Sequence, residues 1–164
     1  MTPTTLQTVL ASLERAPSLV REMVEEMAVE LRKRRRQPEK WSLHEHACHL
    51  GVAQELFEQR LERMLAEDCP MLRPYLPHED DDPNRLLAMD LDSTLRQFEA
   101  GRERLVERLH QLTGTAWQRR ARHPEYARYD VYIMFRHLAL HDMLHLYRME
   151  ELLLEPSFLE GRAS

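Results

Sequence analysis

The sequence has little glycine, few cysteines and no long hydrophobic run. Only four glycines occur in 164 residues, while Leu, Glu, Arg, Ala and Met, which are good helix formers, dominate. Two cysteines, Cys48 and Cys69, are too few for a disulfide framework and suit a reducing compartment. No apolar run approaches the roughly 18 residues of a membrane span, and the first residues lack the pattern of a secretory signal. We therefore expect an all-helical cytoplasmic protein without a membrane segment.

The charge balance is slightly acidic. The formal net charge is -5 with neutral histidine, so the chain lacks the basic excess typical of nucleic-acid-binding domains, and no nucleic-acid partner is expected. Among 23 basic residues only Lys33 and Lys40 are lysines. GC-rich coding produces such a bias, which favours a bacterial source. The length suits a single domain over residues 1–164, because a chain of this size can bury one hydrophobic core.

Helix breakers divide the chain into four helical blocks. We predict helices over about 4–33, 42–68, 84–112 and 129–154. Pro17 is predicted to end one helix and begin the next within the first block. The sequence Ser42-Leu43-His44-Glu45 matches the S-x-x-E capping box and predicts the start of the second helix. The prolines of residues 69–83 forbid a continuous helix. The predicted fold is an up-down four-helix bundle with a long Pro-rich crossover between helices 2 and 3.

Three histidines, His137, His141 and His145, lie four residues apart in the last predicted helix. Residues four apart occupy one helical face, which here is also an apolar face. A buried polar group without a partner costs about 1 to 3 kcal/mol, so these rings need partners. A divalent transition metal, zinc or nickel, would satisfy two of them. Three rings in a row span too far for one ion, so spacing leaves open which neighbouring pair binds.

A second group of histidines, HEHACH over residues 44–49, begins the second predicted helix. At about 100° per residue, His46 falls at the edge of the core face, His49 lies further round, and His44 points outward. This geometry slightly favours His46 as the third ligand. Cys48 points away from both, which argues against a mixed cysteine and histidine zinc site.

Two other interpretations compete with a single metal ion bound by histidines. The rings could form a histidine-lined core without metal. A di-iron bundle requires two Glu-x-x-His pairs and two further glutamates, whereas only Glu107-x-x-His110 occurs, so we discount it.

Short segments along the chain resemble the DinB-like (DinB/YfiT) family of metalloenzymes. WSLHE at 41–45 followed by HL at 49–50 resembles the W-S-x-x-E-x-x-x-H-L opening of that family's second helix. HDMLHL at 141–146 resembles its H-D-x-x-H-L signature, and Trp117 with HP at 123–124 resembles the segment before its last helix. The resemblance covers nearly the whole chain in order and spacing.

This resemblance implies a four-helix bundle that binds a divalent metal through one histidine of the second helix and two of the last. At the matching positions these are His49, His141 and His145, so His49 replaces His46 in the ligand set. It further implies a hydrolase, or a transferase that uses a low-molecular-weight thiol, acting on a small-molecule substrate. A non-catalytic binding or stress-response module is the alternative. Three protein ligands leave one coordination position open, as in catalytic sites.

Four residues are candidate accessories: Arg148, Asp142, His137 and His46. Arg148 follows His145 by one turn and could bind an anionic substrate or pair with a carboxylate. Asp142 could orient a ligand ring, as could Glu45, although Glu45 already has the capping role.

The last helix is apolar nearly all round. Met143 and Leu146 lie opposite the histidines. An apolar face without a partner in its own chain favours a contact between subunits, so we expect a homodimer.

Overall fold

Four long helices form the protein in the computed structural model, which describes residues 3–75 and 82–156. They are α1 (Pro3–Glu26), α2 (Leu43–Ala66), α4 (Leu91–His110) and α6 (Val131–Leu153). Two short helices, α3 (Arg85–Ala88) and α5 (Gly114–Trp117), lie in the connections, and a 3-10 helix, Val29–Leu31, follows α1. The predicted all-α four-helix bundle is confirmed. None of the described helices is both long and apolar enough to cross a membrane.

The helices α1 and α2 lie across the bundle from each other, and each packs against both α4 and α6. Contacts between residues give the relative directions of the helices. Between α1 and α4, Leu13 contacts Arg102 and Arg21 contacts Glu99. Between α2 and α4, Gly51 lies against Thr94, and Gln54 lies against Gly101. Hence α1 runs antiparallel to α4, whereas α2 runs parallel to it. Parallel neighbours need a connection that returns along the bundle, and the long crossover between α2 and α4 provides it.

The start of α2 has the predicted capping box. The Ser42 hydroxyl accepts a hydrogen bond from the Glu45 backbone N–H, and the Glu45 carboxylate accepts one from the Ser42 N–H at 2.9 Å. Burial raises the pKa of Glu45, but hydrogen bonds from Arg35 and Ser42 outweigh burial and lower it overall. Glu45 therefore anchors the helix start and is not a ligand candidate.

Pro17 lies inside α1 and does not end it, so the predicted break at this residue is wrong. Proline lacks the N–H that would bond to the carbonyl four residues earlier, which belongs to Leu13. Arg102 of α4 instead donates its Nη1–H to the Leu13 carbonyl at 2.9 Å. Because a side chain from another helix satisfies this carbonyl, α1 can continue through the proline.

The third predicted helix, 84–112, is divided in two. The short helix α3 ends at Ala88, and α4 begins after Asp90, whose side chain accepts a hydrogen bond from the Ser93 N–H at 2.7 Å. Aspartate is a favoured N-cap residue, since its carboxylate satisfies an N–H that has no partner within the helix. The chain therefore restarts a helix at this position.

A layer of buried polar side chains separates two apolar clusters of the core. Leu13, Phe57 and Leu105 belong to one cluster, and Leu50 and Phe98 to the other. Between them, Arg102 contacts Gln54 and Asp142. The histidines lie beside this layer, where α2 meets α6.

Candidate metal centre

The packing of α2 against α6 brings the two histidine groups together. His46 contacts His145, and His49 contacts His141, so the two helices run antiparallel at this point. The capping box starts α2 next to the last turns of α6, and this places His46 and His49 of its first turns against the row on α6.

Three imidazole nitrogens converge at this contact. His49 Nε2 lies 3.0 Å from His141 Nε2, and His141 Nε2 lies 3.2 Å from His145 Nε2. All three ligand atoms are within 4.8 Å of one another. Three nitrogens around one zinc ion, each at about 2 Å, would lie roughly 3.3 Å apart in a tetrahedral arrangement. The spacing of these atoms therefore fits a single cation.

Hydrogen bonds alone cannot satisfy this arrangement well. The Nε2 atom of His141 contacts two other imidazole nitrogens at once. In a neutral imidazole one nitrogen donates a hydrogen bond and the other accepts one. The Nε2 atom of His141 therefore cannot donate to one of its neighbouring nitrogens and accept from the other. A cation uses the lone pairs of all three, so the donor set suits a metal.

The environment favours neutral rings. Burial lowers the pKa of His145 far below its usual value, and the neighbouring His141, His49 and His46 lower it further. Burial also lowers the pKa of His46, to about 4. A metal ligand must be the unprotonated imidazole, so at neutral pH His145 needs no deprotonation before a metal binds.

The Nδ1 side of two candidate ligands faces polar groups. His145 Nδ1 lies 2.9 Å from His46 Nδ1, so the two rings can share one hydrogen bond. His141 Nδ1 lies 3.9 Å from Asp142 Oδ1, beyond hydrogen-bonding distance. Both of these atoms are buried without a hydrogen-bond partner among the described residues.

Aromatic rings enclose the three histidines. The Trp41 indole stacks on His145 with ring centroids 5.9 Å apart and contacts His49 at 4.8 Å. Tyr75, from the crossover, stacks on His49 at 6.4 Å. These rings exclude water from two sides of the cluster and hold the imidazoles in place.

A cavity of about 220 Å³ borders His49 and His141. Its other lining residues are Ala53, Leu56, Phe57, Arg60, Pro74, Tyr75, His123, Glu125, Tyr126, Tyr129 and His137. We call this the histidine cavity. A second cavity, of about 270 Å³, is lined by Trp41, His46 and Arg148.

The structure places the predicted accessory residues around both cavities. Arg148 is half-exposed and pairs with Glu151 at 2.6 Å, beside the second cavity. His137 lies in the wall of the histidine cavity, with its ring 5.5 Å from that of Tyr126. Asp142 lies behind His141, and His46 behind His145.

The expectation that His44 points outward is wrong. Its ring is buried and its Nε2 lies 3.0 Å from the Leu86 carbonyl of α3. The prediction from helical angles assumed that the rest of the protein covers only one face of α2. The short helix α3 covers a second face, which carries His44. Cys48 is buried and is not one of the three converging residues.

Most of the cavity wall lay beyond sequence reasoning. Tyr75, Tyr126 and Tyr129 come from irregular connections that have no periodicity to analyse. Arg60 is a charged residue on an amphipathic helix, and such residues usually face solvent. Among the wall residues that were not named as site candidates, only His123 had a signal, because it is part of the segment that resembles the DinB-like family.

Comparison with known proteins identifies the family. The model of the DinB superfamily matches residues 12–149, which is most of the chain. The chain belongs to the DinB superfamily. The recognition made from the short motifs is therefore confirmed. No curated protein sequence matches this DinB-superfamily chain significantly.

A solved structure supports the fold of this DinB-superfamily chain. YfiT from Bacillus subtilis, described as a probable metal-dependent hydrolase with an unusual four-helix bundle topology, superposes with a TM-score of 0.84 at 19% sequence identity. The match covers 93% of this chain and 87% of YfiT. At this identity the similarity concerns the fold.

Proposed function

We propose that this protein is a metal-dependent hydrolase that acts on a small molecule. His49, His141 and His145 would hold one divalent transition metal, zinc or nickel, through their Nε2 atoms. The convergence of these three nitrogens beside a cavity carries the proposal. Three protein ligands leave a coordination position open for catalysis. The description of YfiT as a probable metal-dependent hydrolase agrees with this proposal.

The chain's own residues would position the ligand rings. With its Nε2 on the metal, His145 would donate its Nδ1–H to the Nδ1 of His46, which would hold that tautomer of the ligand ring. Asp142 is held by Arg102 at 2.6 Å and offers its second oxygen towards His141 Nδ1. Trp41 and Tyr75 limit the access of water. The histidine cavity admits the substrate.

The ion would supply Lewis acidity, which polarises a carbonyl and lowers the pKa of bound water to about 7. The residues of the histidine cavity would hold the substrate next to the three-histidine cluster and exclude bulk water. His137 lies in the cavity wall beside His141, and burial lowers its pKa, so its neutral ring can accept a proton there.

Metal content and chelation test this proposal. The purified chain is expected to hold about one ion per chain and to hydrolyse at least one member of a panel of small esters and amides. Dialysis against a chelator should remove activity and metal together, and the added ion should restore both. At 100 times its Kd, the ion should stabilise the fold by about 2.7 kcal/mol.

His110→Ala provides the control, since His110 is exposed on α4. It should change neither metal content nor turnover. Bound metal without turnover of any substrate would contradict the enzyme and favour a non-catalytic binding or stress-response module. If neither zinc nor nickel raises the melting temperature, the result would favour a histidine-lined core without metal.

Transfer to a low-molecular-weight thiol is the second candidate reaction. The chain's own buried thiol cannot provide this chemistry, because burial raises the pKa of Cys48 to about 11 and the residue lies outside the histidine group. A thiol from solution would have to enter the histidine cavity. Turnover that requires such a thiol, and not water alone, would favour the transferase.

A second copy of the chain would cover an apolar stripe on α6. Leu140, Met143, Leu144 and Tyr147 are each 52% to 61% exposed and recur at helical spacing. A two-fold axis would place this stripe against its own copy, so each exposed side chain would be buried by the partner.

Charged substitutions in this stripe are expected to disrupt the homodimer. Met143→Glu with Tyr147→Glu should convert a dimer to a monomer in sedimentation velocity, because two carboxylates would be buried in an apolar interface. The control is Val29→Glu, at an apolar residue outside the stripe that is 71% exposed. A wild-type chain that sediments as a monomer would contradict the dimer.

The proposed location is the cytoplasm. Cys48 and Cys69 are both free thiols, and free thiols persist in a reducing compartment.

A further inference from the structure

Arg60 is a buried cation in the wall of the histidine cavity. Its residue is only 9% exposed, although arginine side chains usually reach solvent. It lies on α2, the helix that carries His49, and about 16 Å further along the helix axis. Side chains on a helix lean towards its N-terminus, so the long side chain of Arg60 leans back in the direction of His49.

The described groups that contact the Arg60 guanidinium are uncharged. Its Nη2 donates to the Arg73 carbonyl at 2.6 Å, and its guanidinium lies 5.5 Å from the centre of the Phe57 ring. The Tyr129 hydroxyl also interacts with it. Within the described residues, 3–75 and 82–156, no carboxylate pairs with this guanidinium. Burial lowers the pKa of Arg60, since a low-dielectric environment disfavours the charged form.

Arg102 is also a buried arginine, but it has a carboxylate partner. Arg102 is paired with Asp142 at 2.6 Å, and both side chains are almost fully buried. A buried charge is costly unless it is paired, so Arg60 would be stabilised by an anion that enters the cavity. A guanidinium has five N–H donors. The Arg73 carbonyl accepts a hydrogen bond from only one of those of Arg60.

The rest of the wall suits a small molecule with a single negative charge. Arg60 is the only arginine or lysine among the described residues that line the cavity, and Glu125 lies beside His123 with more than half of its side chain exposed. Tyr126 and Tyr129 present stacked rings with centroids 5.8 Å apart. A volume of about 220 Å³ is smaller than the pockets that bind drug-sized ligands. One guanidinium suits a planar carboxylate through two parallel hydrogen bonds.

We propose that Arg60 binds the carboxylate of a small, singly charged substrate whose reacting group reaches the three-histidine site. This inference rests on the proposed function, since it names the substrate class of the proposed hydrolase. Arg60 and Tyr129 would hold the carboxylate at one end of the cavity. The rings of Tyr75 and Tyr126 would contact the apolar part between the two ends.

Binding of benzoate to the metal-free protein tests the carboxylate site independently of catalysis. Benzoate should bind at least about 10-fold more tightly than its neutral analogue benzamide in isothermal titration calorimetry, because a charge-assisted hydrogen bond contributes more than a neutral one. Arg60→Gln should remove this difference. Arg104→Gln makes the same charge change at an exposed position on α4 and should preserve it.

Chemical modification covers the case in which Arg60→Gln does not fold. Phenylglyoxal modifies accessible guanidinium groups, and mass spectrometry locates the modified arginine. Benzoate should protect Arg60 of the wild-type chain at least about 10-fold, while benzamide should not.

Three results would overturn the inference: equal affinity for benzoate and benzamide, unchanged benzoate affinity in folded Arg60→Gln, or benzoate binding that appears only after metal is added. The last result would assign the anion to the metal and leave the proposed function standing. Conversely, Arg60-dependent benzoate binding in a chain that takes up no metal would support the carboxylate site and remove the hydrolase.

Discussion

The variant His141→Ala is expected to bind zinc or nickel at least about 100-fold more weakly than the wild-type chain. Loss of a group that only supports a metal ligand commonly reduces affinity 10- to 100-fold, so loss of a ligand itself should exceed that range. The effect should be largest at this position, because His141 Nε2 is the atom that contacts both other nitrogens, at 3.0 and 3.2 Å. Calorimetric titration of the metal-free protein measures the affinity directly.

His137→Ala is the matched control for His141→Ala. It removes the neighbouring imidazole in the same row, from the wall of the same cavity, but from outside the three-histidine group. Its metal affinity should stay within about 10-fold of the wild-type value, the lower end of the loss for a residue that supports a ligand, because His137 lies outside the three-histidine group. Retention of one tightly bound ion by His141→Ala, or a greater loss in His137→Ala, would place the metal elsewhere in the row.

Arg102→Leu is expected to lower the free energy of unfolding by about 3 to 5 kcal/mol, the usual result when one partner of a buried ion pair is removed. The substitution would leave the Asp142 carboxylate buried without its cation. It would also remove the donors to the Gln54 side chain and to the Leu13 carbonyl. That carbonyl has no helical partner because of Pro17. Urea unfolding of the metal-free protein measures the loss.

A double variant separates the charge from the packing. Arg102→Leu with Asp142→Leu removes both charges and should be more stable than Arg102→Leu alone, because no unpaired carboxylate remains in the core. Arg104→Leu, at an exposed position of the same helix, should stay within about 0.5 kcal/mol of wild type. A loss below about 1 kcal/mol in Arg102→Leu would show that solvent reaches Asp142 and that the layer is not a closed network.

Local patterns were enough to predict α2 and α6. The capping box at Ser42 and Glu45 is a contact between residues three apart, so its geometry depends on nearby atoms alone. The register of His141 and His145 on one face follows from helical periodicity. These features are local, and sequence reasoning located both helices to within about two residues.

The choice between His46 and His49 shows where helical angles fail. We measured both from the direction of the bundle core and slightly favoured His46, which lies nearer to it. The cluster instead forms at the contact between α2 and α6, to one side of the core. There, His49 joins the three converging nitrogens, while His46 contacts the far side of His145. The family resemblance, which depends on position in a motif, named His49.

By itself, the sequence determined the elements and their chemistry: four amphipathic blocks, a capped second helix, and imidazoles repeated on one face of the last. Only the tertiary structure decided which rings converge, that α1 passes through Pro17, and that Arg60 faces the histidine cavity with no carboxylate partner in residues 3–75 and 82–156. Helix starts and periodicity depend on residues within a turn or two of each other. Convergence, by contrast, depends on how helices dozens of residues apart pack together, and no local pattern contains that information.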